Sequence, residues 1–268
     1  PSSQLKPFLK IIYELFDDAL LNENGSFSIS RFNAATLADL DAHSYGVFSI
    51  NGGKELIETG KKLKDFKGIE TTAIPGGFKA SLRDYQQLGL NWLQFLREYN
   101  FAGILADDMG LGKTIQTLCH LLVEKEAGRM SSPCLIIAPT SLMGNWRREA
   151  ERFTPDLKVL ILQGSERKQH FDKIKDYDLV LTTYPLLPRD KEILLSIEYH
   201  YLILDEAQVI KNPRAQASRI VREIKTSNRL CLTGTPMENH LGELWAQFDF
   251  LMPGFLGDSA FFKKNYRT

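Results

Sequence analysis

The chain has 268 residues, of which 43% are hydrophobic and 25% charged, and its 33 basic residues balance its 33 acidic residues. This composition excludes an intrinsically disordered chain, because it supplies enough apolar residues for a buried core. No apolar run approaches the roughly 20 residues of a membrane-spanning helix, so no membrane partner is expected. Zero net charge disfavours a non-specific nucleic-acid coat protein, although it is compatible with a local groove for nucleic acid.

The first part of the chain predicts a small, incomplete helical accessory segment. Residues 4–21 repeat apolar residues at helical spacing, residues 26–50 have no clean period, and residues 52–67 suit a short amphipathic helix. The stretch Ile74–Phe78, IPGGF, is punctuated by proline and glycine and predicts a linker. We therefore place the boundary of the accessory segment, residues 1–75, at this point.

From Leu82 onward, short apolar runs alternate with helical patterns. Six runs are predicted as buried strands: residues 102–106, 134–138, 158–162, 178–183, 201–205 and 229–233. This alternation indicates βαβ units, and therefore one α/β domain over residues 76–268 with a parallel sheet covered by helices on both faces. In such sheets ligands bind beyond the carboxyl ends of the strands. The motifs that carry chemistry in this sequence follow such ends.

The cysteines and histidines give no sign of a metal centre. Cys119, Cys134 and Cys231 lack CxxC spacing and lie in apolar stretches, which predicts buried free thiols in a reducing cytosol and no structural zinc. The five histidines are scattered along the sequence, so each is expected to be structural. The chain begins at Pro1 without a signal-peptide pattern, and we expect it to be a fragment of a longer protein.

The segment DDMGLGKT, Asp107–Thr114, predicts a phosphate-binding loop, because it follows a predicted strand and opens a helix. Gly110 and Gly112 would let the backbone amides point inward, and the helix start adds the positive end of its dipole. We expect Lys113 to reach the β- and γ-phosphates of ATP and Thr114 to bind magnesium. The predicted ATP contacts in the loop are Asp107, Asp108, Met109, Gly110, Leu111, Gly112, Lys113 and Thr114.

The segment LILDEAQ, Leu202–Gln208, is a predicted buried strand that ends in two acidic residues. Asp205 is expected to hold magnesium through water, and Glu206 to orient or deprotonate the attacking water. Because a phosphate loop precedes this acidic pair, the two motifs together predict ATP hydrolysis, with Lys113, Asp205 and Glu206 as catalytic residues. Gln208 is a candidate for coupling the γ-phosphate to the following segment.

The helix predicted to begin near Leu82 carries a candidate for adenine recognition. A glutamine amide can form two hydrogen bonds with the N6 and N7 edge of adenine. Gln86 is our choice and Gln87 is the alternative, because both precede the phosphate loop. The loop itself has one departure from the general pattern, since Asp107 stands where a glycine is usual.

Together these motifs resemble the first motor lobe of the SWI/SNF-type ATPases of helicase superfamily two. The resemblance covers residues 80 to about 260 and includes APTSLMGNW, LTTYPLL, IKNP and LTGTPMENHLGELW. It implies a RecA-like lobe that binds ATP and magnesium. With a second RecA-like lobe of the same full-length protein, such a lobe moves along double-stranded DNA. Residues 1–75 are similar to the tail of an accessory region found upstream of bacterial members, which implies a cytoplasmic, nucleoid-associated protein.

The resemblance implies roles for further positions. Most members carry a histidine in place of Gln208, so the acidic box here is a variant. The segment LTGTP would sense the γ-phosphate through Thr233, Gly234 and Thr235. The residues implied to contact DNA lie at strand ends and helix starts, which suit phosphate binding: Thr140, Ser141, Asn145, Gly164, Ser165 and Thr183. Trp146 is expected to be a core anchor, and Arg167 and Lys168 are expected either to meet phosphates or to be exposed.

Two alternatives to a DNA translocase are compatible with these motifs. An RNA helicase lobe is disfavoured, because RNA helicases of this superfamily usually end the acidic box in Asp and carry Ser-Ala-Thr at residues 233–235. RNA specificity would also require contacts with 2′-hydroxyls. A non-hydrolysing scaffold that binds partners is disfavoured by the intact set of nucleotide-site residues: Lys113, Thr114, Asp205 and Glu206.

Overall fold

The computed structural model describes residues 20–21, 27–28, 54–237 and 240–266. The chain divides into two compact units, Pro1–Gly68 and Ile69–Thr268. In the first unit, strands β1 (Leu20–Leu21) and β2 (Phe27–Ser28) pair antiparallel, and helix α1 spans Lys54–Lys64. Helix α1 corresponds to the helix predicted over residues 52–67.

The helix predicted over residues 4–21 is wrong at its end, because Leu20 and Leu21 form strand β1. Residues 4–19 lie outside the described part of the chain. The sequence between the two short strands is NENGS, and its asparagines and glycine favour a turn. A helix prediction from the spacing of apolar residues alone does not take these turn-favouring residues into account.

The division between the units lies a few residues before the predicted boundary at residue 75. The stretch from Ile69 to residue 75 already belongs to the second unit. Within this stretch, Thr72 N donates to Asn91 Oδ1 (2.9 Å), and shortly after it Gly77 N donates to Glu126 Oε1 (2.8 Å). Backbone groups of this segment are therefore held by side chains of the helices that follow it.

The second unit contains a six-stranded parallel sheet with the order β3-β8-β7-β4-β6-β5. The strands are β3 (Gly103–Leu105), β4 (Cys134–Ala138), β5 (Val159–Ile161), β6 (Leu179–Thr183), β7 (Tyr199–Asp205) and β8 (Thr226–Leu232). All six overlap the predicted ranges, and the predicted parallel α/β sheet is confirmed. Every residue of β4, β6 and β7 is buried, as expected for central strands that are covered on both faces.

The helices of this unit are α2 (Asp84–Glu98), α3 (Lys113–Glu126), α4 (Met143–Phe153), α5 (Lys191–Leu195), α6 (Gln216–Glu223), α7 (Leu241–Leu251) and α8 (Ser259–Tyr266). Short 3₁₀ helices occupy Thr140–Leu142, Glu166–Asp176, Tyr184–Leu186 and Ala207–Ile210. The main core joins apolar residues of the first three of these α-helices to the strands, including Leu90, Leu118, Trp146 and Ile203. In the described ranges, no helix is long and apolar enough to cross a membrane.

The strand order separates the motifs into two groups. Strand β8 lies between β3 and β7, so the phosphate loop, LTGTP and the acidic box follow three adjacent strands. Strands β4, β6 and β5 form the other half of the sheet, and the segments implied to contact DNA follow these strands. Since all strands are parallel, the carboxyl ends of both groups lie along the same edge, with β7 and β4 as neighbours.

The buried Glu124 carboxylate contacts His200 directly and is linked to His120 through Gln94. His200 Nε2 lies 3.2 Å from Glu124 Oε2, and Arg129 Nη2 donates to Glu124 Oε1 at 2.6 Å. Gln94 Nε2 lies 2.9 Å from His120 Nδ1 and also contacts Glu124. Burial raises the pKa of Glu124, but the hydrogen bonds from His200 and Arg129 outweigh it, so its pKa lies well below the ordinary value. This network joins the carboxyl end of α3 to the amino end of β7.

The three cysteines are free and buried, as predicted. Burial raises the pKa of the Cys119 thiol to about 12 and that of the other two thiols further above the ordinary value. Such thiols are poor nucleophiles and poor metal ligands. Among the described residues, no group of three or more His, Cys, Asp or Glu side chains is arranged to hold a metal ion.

Candidate active site

The loop between β3 and α3 has the backbone shape that the motif predicts. Gly110 and Gly112 adopt left-handed φ values of 83° and 86°, a region that favours glycine. Gly112 caps the amino end of α3, and a Cβ atom at this position would lie 2.5 Å from Gln86 Nε2. The loop therefore requires glycine here for both conformation and space, and it leads directly into the positive end of the α3 dipole.

Lys113 folds back over this loop. Its Nζ donates to the carbonyl oxygens of Asp107 (2.7 Å) and Asp108 (3.2 Å), and its side chain is half-buried. A phosphate oxygen would be a stronger partner for the ammonium group than these neutral carbonyls, because both partners would then carry charge. Thr114 follows as the second residue of α3, half-buried beside the loop.

The departure at Asp107 has a structural explanation. Its Oδ2 accepts a hydrogen bond from Gln116 Nε2 at 2.8 Å. This bond holds the Asp107 carboxylate against α3 while its backbone carbonyl accepts from Lys113. The aspartate thus links the loop to the first turns of the helix, a contact that glycine could not make.

The acidic box lies at the carboxyl end of β7. Asp205 is 6% exposed, its Oδ2 accepts from Trp146 Nε1 at 2.7 Å, and its Oδ1 accepts from Glu206 N at 3.0 Å. Burial raises the pKa of Asp205 above its ordinary value, and the hydrogen bond from Trp146 opposes that rise. The positive charge of Lys113 also favours the charged form of the Asp205 carboxylate, so the phosphate loop and the acidic box interact electrostatically.

Glu206 has a left-handed backbone with φ of 51°, which is uncommon for a residue other than glycine. Such conformations cost on the order of 1–3 kcal/mol and concentrate at functional sites. Here the turn ends the strand immediately after Asp205 and leaves the Glu206 side chain half-buried at the strand end.

A chain of hydrogen bonds joins the acidic box to LTGTP. Gln208 Nε2 donates to Glu206 Oε2 (2.6 Å), and Thr233 Oγ1 donates to Gln208 Oε1 (2.8 Å). Thr235 N then donates to Thr233 Oγ1 (3.0 Å). The structure therefore brings together the residues predicted to couple the γ-phosphate to the rest of the lobe. Gln208 uses both ends of its amide to do so.

Gly234 lies against the phosphate loop. A Cβ atom built on Gly234 would be 3.3 Å from Met109 Cγ and 3.8 Å from the Asp107 carbonyl oxygen. The LTGTP turn thus contacts the phosphate loop and, through Thr233, the acidic box. Met109 itself is 79% exposed, so it borders the site without belonging to the core.

Gln86, and not Gln87, lies beside the phosphate loop. Gln86 Nε2 donates to the Leu111 carbonyl (3.0 Å), and its Oε1 accepts from Arg83 N (2.9 Å). Gln87 Nε2 instead bonds to Thr72 O and Asn91 Oδ1. The geometry favours Gln86 over the alternative, and adenine recognition through it stays a prediction.

Four of the six residues implied to contact DNA line one open depression of about 510 Å³: Thr140, Gly164, Ser165 and Thr183. The depression lies where β4, β5 and β6 end, and Arg189 adds a positive charge to its rim. Ser141 is exposed next to it in sequence but is not part of the lining. Asn145 lies on α4, where its Nδ2 donates to Glu149 Oε1 at 2.7 Å.

Arg167 is buried, so the expectation that it is exposed is wrong, and a contact between Arg167 and a phosphate stays a prediction. Its guanidinium forms two hydrogen bonds with the buried Asp190 carboxylate, at 2.7 Å and 2.8 Å, and a third with the Gly164 carbonyl at 2.7 Å. Asp190 is distant from Arg167 in sequence, so the residues around Arg167 could not predict this ion pair. Arg167 therefore holds the Gly164 turn in place and also lines the depression. Its neighbour Lys168 is exposed, which is one of the two expectations for that residue.

Replacing Arg167 with alanine should destabilise the protein by roughly 3–5 kcal/mol, because it leaves the Asp190 carboxylate buried without its partner. Urea unfolding measures this change in free energy. Lys168→Ala is the matched control, since it removes an exposed charge and should change the stability by less than about 0.5 kcal/mol. Equal stabilities of the two variants would contradict a stabilising role for the Arg167–Asp190 pair.

Two residues missed by the sequence analysis contact Asp205. Trp146 was correctly expected in the core, where it is 1% exposed, but its hydrogen bond to the Asp205 carboxylate was not foreseen. Tyr184 Oη donates to the Asp205 backbone carbonyl at 2.8 Å. The available signal was general: a buried indole N–H or phenol needs a partner.

The donor set fits magnesium and a nucleotide. The Thr114 hydroxyl and the Asp205 carboxylate are hard oxygen ligands, which suit magnesium. The glycine-shaped loop, the start of α3 and Lys113 suit phosphate groups.

The sequence model of the SNF2-related domain matches residues 85–268 of this chain. The chain belongs to the SNF2 family. The putative ATP-dependent helicase/translocase YwqA of Bacillus subtilis is 44% identical over 230 residues, which is 85% of this chain and 25% of that protein. The TATA-binding protein-associated factor MOT1 of Saccharomyces cerevisiae is 41% identical over 218 residues, covering 76% of this chain and 11% of MOT1. The SNF2 chain thus spans about a quarter or less of these relatives.

Solved SNF2 structures have the same fold. The Sulfolobus solfataricus SWI2/SNF2 ATPase core in complex with dsDNA is 40% identical, with a TM-score of 0.68, and covers 73% of this chain and 40% of that one. The Sulfolobus solfataricus SWI2/SNF2 ATPase core domain, in a second solved structure, gives a TM-score of 0.67 at 40% identity, covering 74% of this chain and 40% of that chain. The six-stranded parallel sheet is therefore a RecA-like lobe of an SNF2 ATPase core, as the sequence resemblance implied.

Proposed function

We propose that this chain is the first motor lobe of an ATP-dependent double-stranded DNA translocase. The observation that carries the proposal is the strand order, which gathers the phosphate loop, LTGTP and the acidic box on β3, β8 and β7. The neighbouring strands β4, β6 and β5 end at the depression lined by Thr140 and Thr183. A solved relative of 40% identity is an ATPase core in complex with dsDNA. We further propose that the protein acts in the cytoplasm on nucleoid DNA.

The residues of the site have distinct tasks in hydrolysis. Lys113 and the loop amides bind and orient the phosphates, and Thr114 and Asp205 hold the magnesium ion. Bound magnesium supplies charge neutralisation on the phosphate oxygens. Glu206 orients the attacking water and accepts its proton, because its half-buried carboxylate follows the carboxyl end of β7, on the edge of the sheet where the phosphate loop also lies.

The hydrogen-bonded chain from Glu206 through Gln208 to Thr233 passes the state of the γ-phosphate to LTGTP. A change at the Glu206 carboxylate would move the Gln208 amide, because the amide nitrogen donates to that carboxylate. The amide oxygen would move with it, and this oxygen accepts the hydrogen bond from Thr233. The variant glutamine thus supplies one donor and one acceptor to the same relay.

The lobe needs a partner for full activity. An arginine that faces the γ-phosphate contributes on the order of 10³–10⁵ in the rate of phosphoryl transfer. Among the arginines that follow the acidic box, Arg222 is bonded to Asp249 and Ala246 of α7, and Arg214 and Arg219 are exposed. We propose that the second RecA-like lobe supplies this arginine and the other half of the DNA groove.

The 268-residue chain alone should bind ATP weakly and show almost no DNA-stimulated hydrolysis, whereas the full-length protein should be strongly stimulated by duplex DNA. DNA binding by the isolated chain should also be weak and steeply salt-dependent. A steady-state ATPase assay on both proteins, with duplex DNA, RNA or no nucleic acid, tests this expectation.

Other outcomes of this ATPase assay would support a different function or mechanism. Stimulation by RNA but not by duplex DNA would identify an RNA helicase lobe, and a full-length protein without ATPase activity under any condition would identify a scaffold. Robust DNA-stimulated turnover by the isolated chain would contradict the two-lobe mechanism.

A further inference from the structure

Two side chains from the DNA-facing half of the sheet hold the residue proposed to bind magnesium. Trp146 on α4 donates from Nε1 to the Asp205 Oδ2 atom at 2.7 Å. Tyr184, the first residue after β6, donates from its hydroxyl to the Asp205 carbonyl at 2.8 Å. The first contact orients the carboxylate, and the second fixes the end of the strand that carries it.

The topology explains why these contacts come from that half of the sheet. Strand β4 lies between β7 and β6, so the segments after β4 and β6 are the near neighbours of the β7 end. Thr140 and Trp146 belong to the same continuous 3₁₀ and α-helical segment after β4. Thr183 directly precedes Tyr184. Each segment therefore carries a residue of the depression at one point and a contact to Asp205 at another.

Burial makes both hydrogen bonds to Asp205 strong constraints on its position. Trp146 is 1% exposed and Tyr184 is 6% exposed, so water does not compete for either contact. A hydrogen bond to a carboxylate is stronger than one between neutral groups, and low local polarity strengthens it further. Because the buried indole is packed in the core, it cannot shift without a shift of α4.

We propose that Trp146 and Tyr184 are positioning residues that couple the DNA-facing segments to the orientation of Asp205, so that duplex DNA strengthens magnesium binding at the nucleotide site. This inference rests on the proposed function. Neither residue touches the nucleotide in this mechanism, and both act through Asp205. By linkage, magnesium–nucleotide must strengthen DNA binding by the same factor.

The test uses the full-length protein and a fluorescent ADP analogue. Its affinity is measured against magnesium concentration, with and without duplex DNA, for the parent protein, Trp146→Phe, Tyr184→Phe and the control Trp245→Phe. Trp245 is a matched control, because its indole N–H donates to the Gly257 carbonyl (3.1 Å), on the segment that follows α7, and makes no contact with Asp205. Thermal unfolding of each variant reports its stability separately.

In the parent, duplex DNA should lower the magnesium concentration at half-saturation. Trp146→Phe should raise that concentration by about 10-fold, the usual scale for loss of a residue that supports a metal ligand. Trp146→Phe and Tyr184→Phe should both reduce the DNA-induced shift in the magnesium concentration at half-saturation. Their affinity for the analogue in the presence of EDTA should stay at the parent value. Trp245→Phe should behave as the parent does.

Parent-like magnesium dependence and a parent-like DNA shift in Trp146→Phe would overturn the proposal, as would a parent protein whose magnesium dependence ignores DNA. If Trp146→Phe does not fold, a tryptophan analogue with sulfur in place of the indole N–H removes the donor and keeps the shape, and it must give the same result. A parent that shows no magnesium-dependent nucleotide binding would instead refute the proposed function, and the inference with it.

Discussion

Replacing Glu206 with glutamine in the full-length protein should leave ATP binding unchanged and slow hydrolysis by about 10²–10⁴-fold, the usual contribution of a general base. The amide keeps the shape of the side chain and can still accept the hydrogen bond that Gln208 donates at 2.6 Å. It cannot accept a proton from water. The chemical step is therefore slowed, while the hydrogen-bonded chain from residue 206 to Thr233 is kept.

Single-turnover hydrolysis and equilibrium nucleotide binding, measured on the same preparation, separate these effects. Glu198→Gln is a suitable control, because Glu198 is an exposed glutamate just before the amino end of β7, at the opposite end of the strand from Glu206. Hydrolysis within a few-fold of the parent rate in Glu206→Gln would mean that another residue activates the water.

Replacing Lys113 with alanine should weaken ATP binding by about 100-fold or more without unfolding the lobe. Hydrogen bonds to charged groups contribute roughly 1.5–3 kcal/mol each, and the ammonium can form more than one with the phosphates. The fold should survive, because the half-buried side chain bonds only to carbonyl oxygens of its own loop, those of Asp107 and Asp108.

Isothermal calorimetry gives the affinity, and circular dichroism shows whether the variant is folded. Lys175→Ala, which removes an exposed lysine from the 3₁₀ helix before β6, should bind ATP as the parent does. A folded Lys113→Ala protein with unchanged ATP affinity would remove the basis for assigning Asp107–Thr114 as a phosphate loop.

The strands of the second unit could be predicted because of how parallel sheets are buried. A strand covered on both faces reads as a continuous apolar run, and CLIIA at β4 matches its predicted range at both ends. The same local reading failed at Leu20 and Leu21, where helical spacing and a short hairpin compete. Residues 26–50, which showed no clean period, fall mostly outside the described part of the chain.

The candidate site divides in the same way. Gly110, Gly112 and Lys113 could be assigned from sequence, because a phosphate loop is a short continuous motif whose backbone shape depends on its own residues. Arg167 could not, because its behaviour is decided by Asp190, a residue from another segment. Glu124 and His200 likewise form a network only after α3 and β7 come together.

The sequence by itself determined the fold class, the phosphate loop and the acidic box, since each depends on the order and chemistry of neighbouring residues. Only the tertiary structure decided which motifs are adjacent, because strand order results from crossover connections that leave no local pattern. That order places β8 between β3 and β7, and it sets β4 beside β7. The buried bonds of Trp146 and Tyr184 to Asp205 follow from this arrangement, since hydrogen bonds between distant segments exist only once the chain has packed.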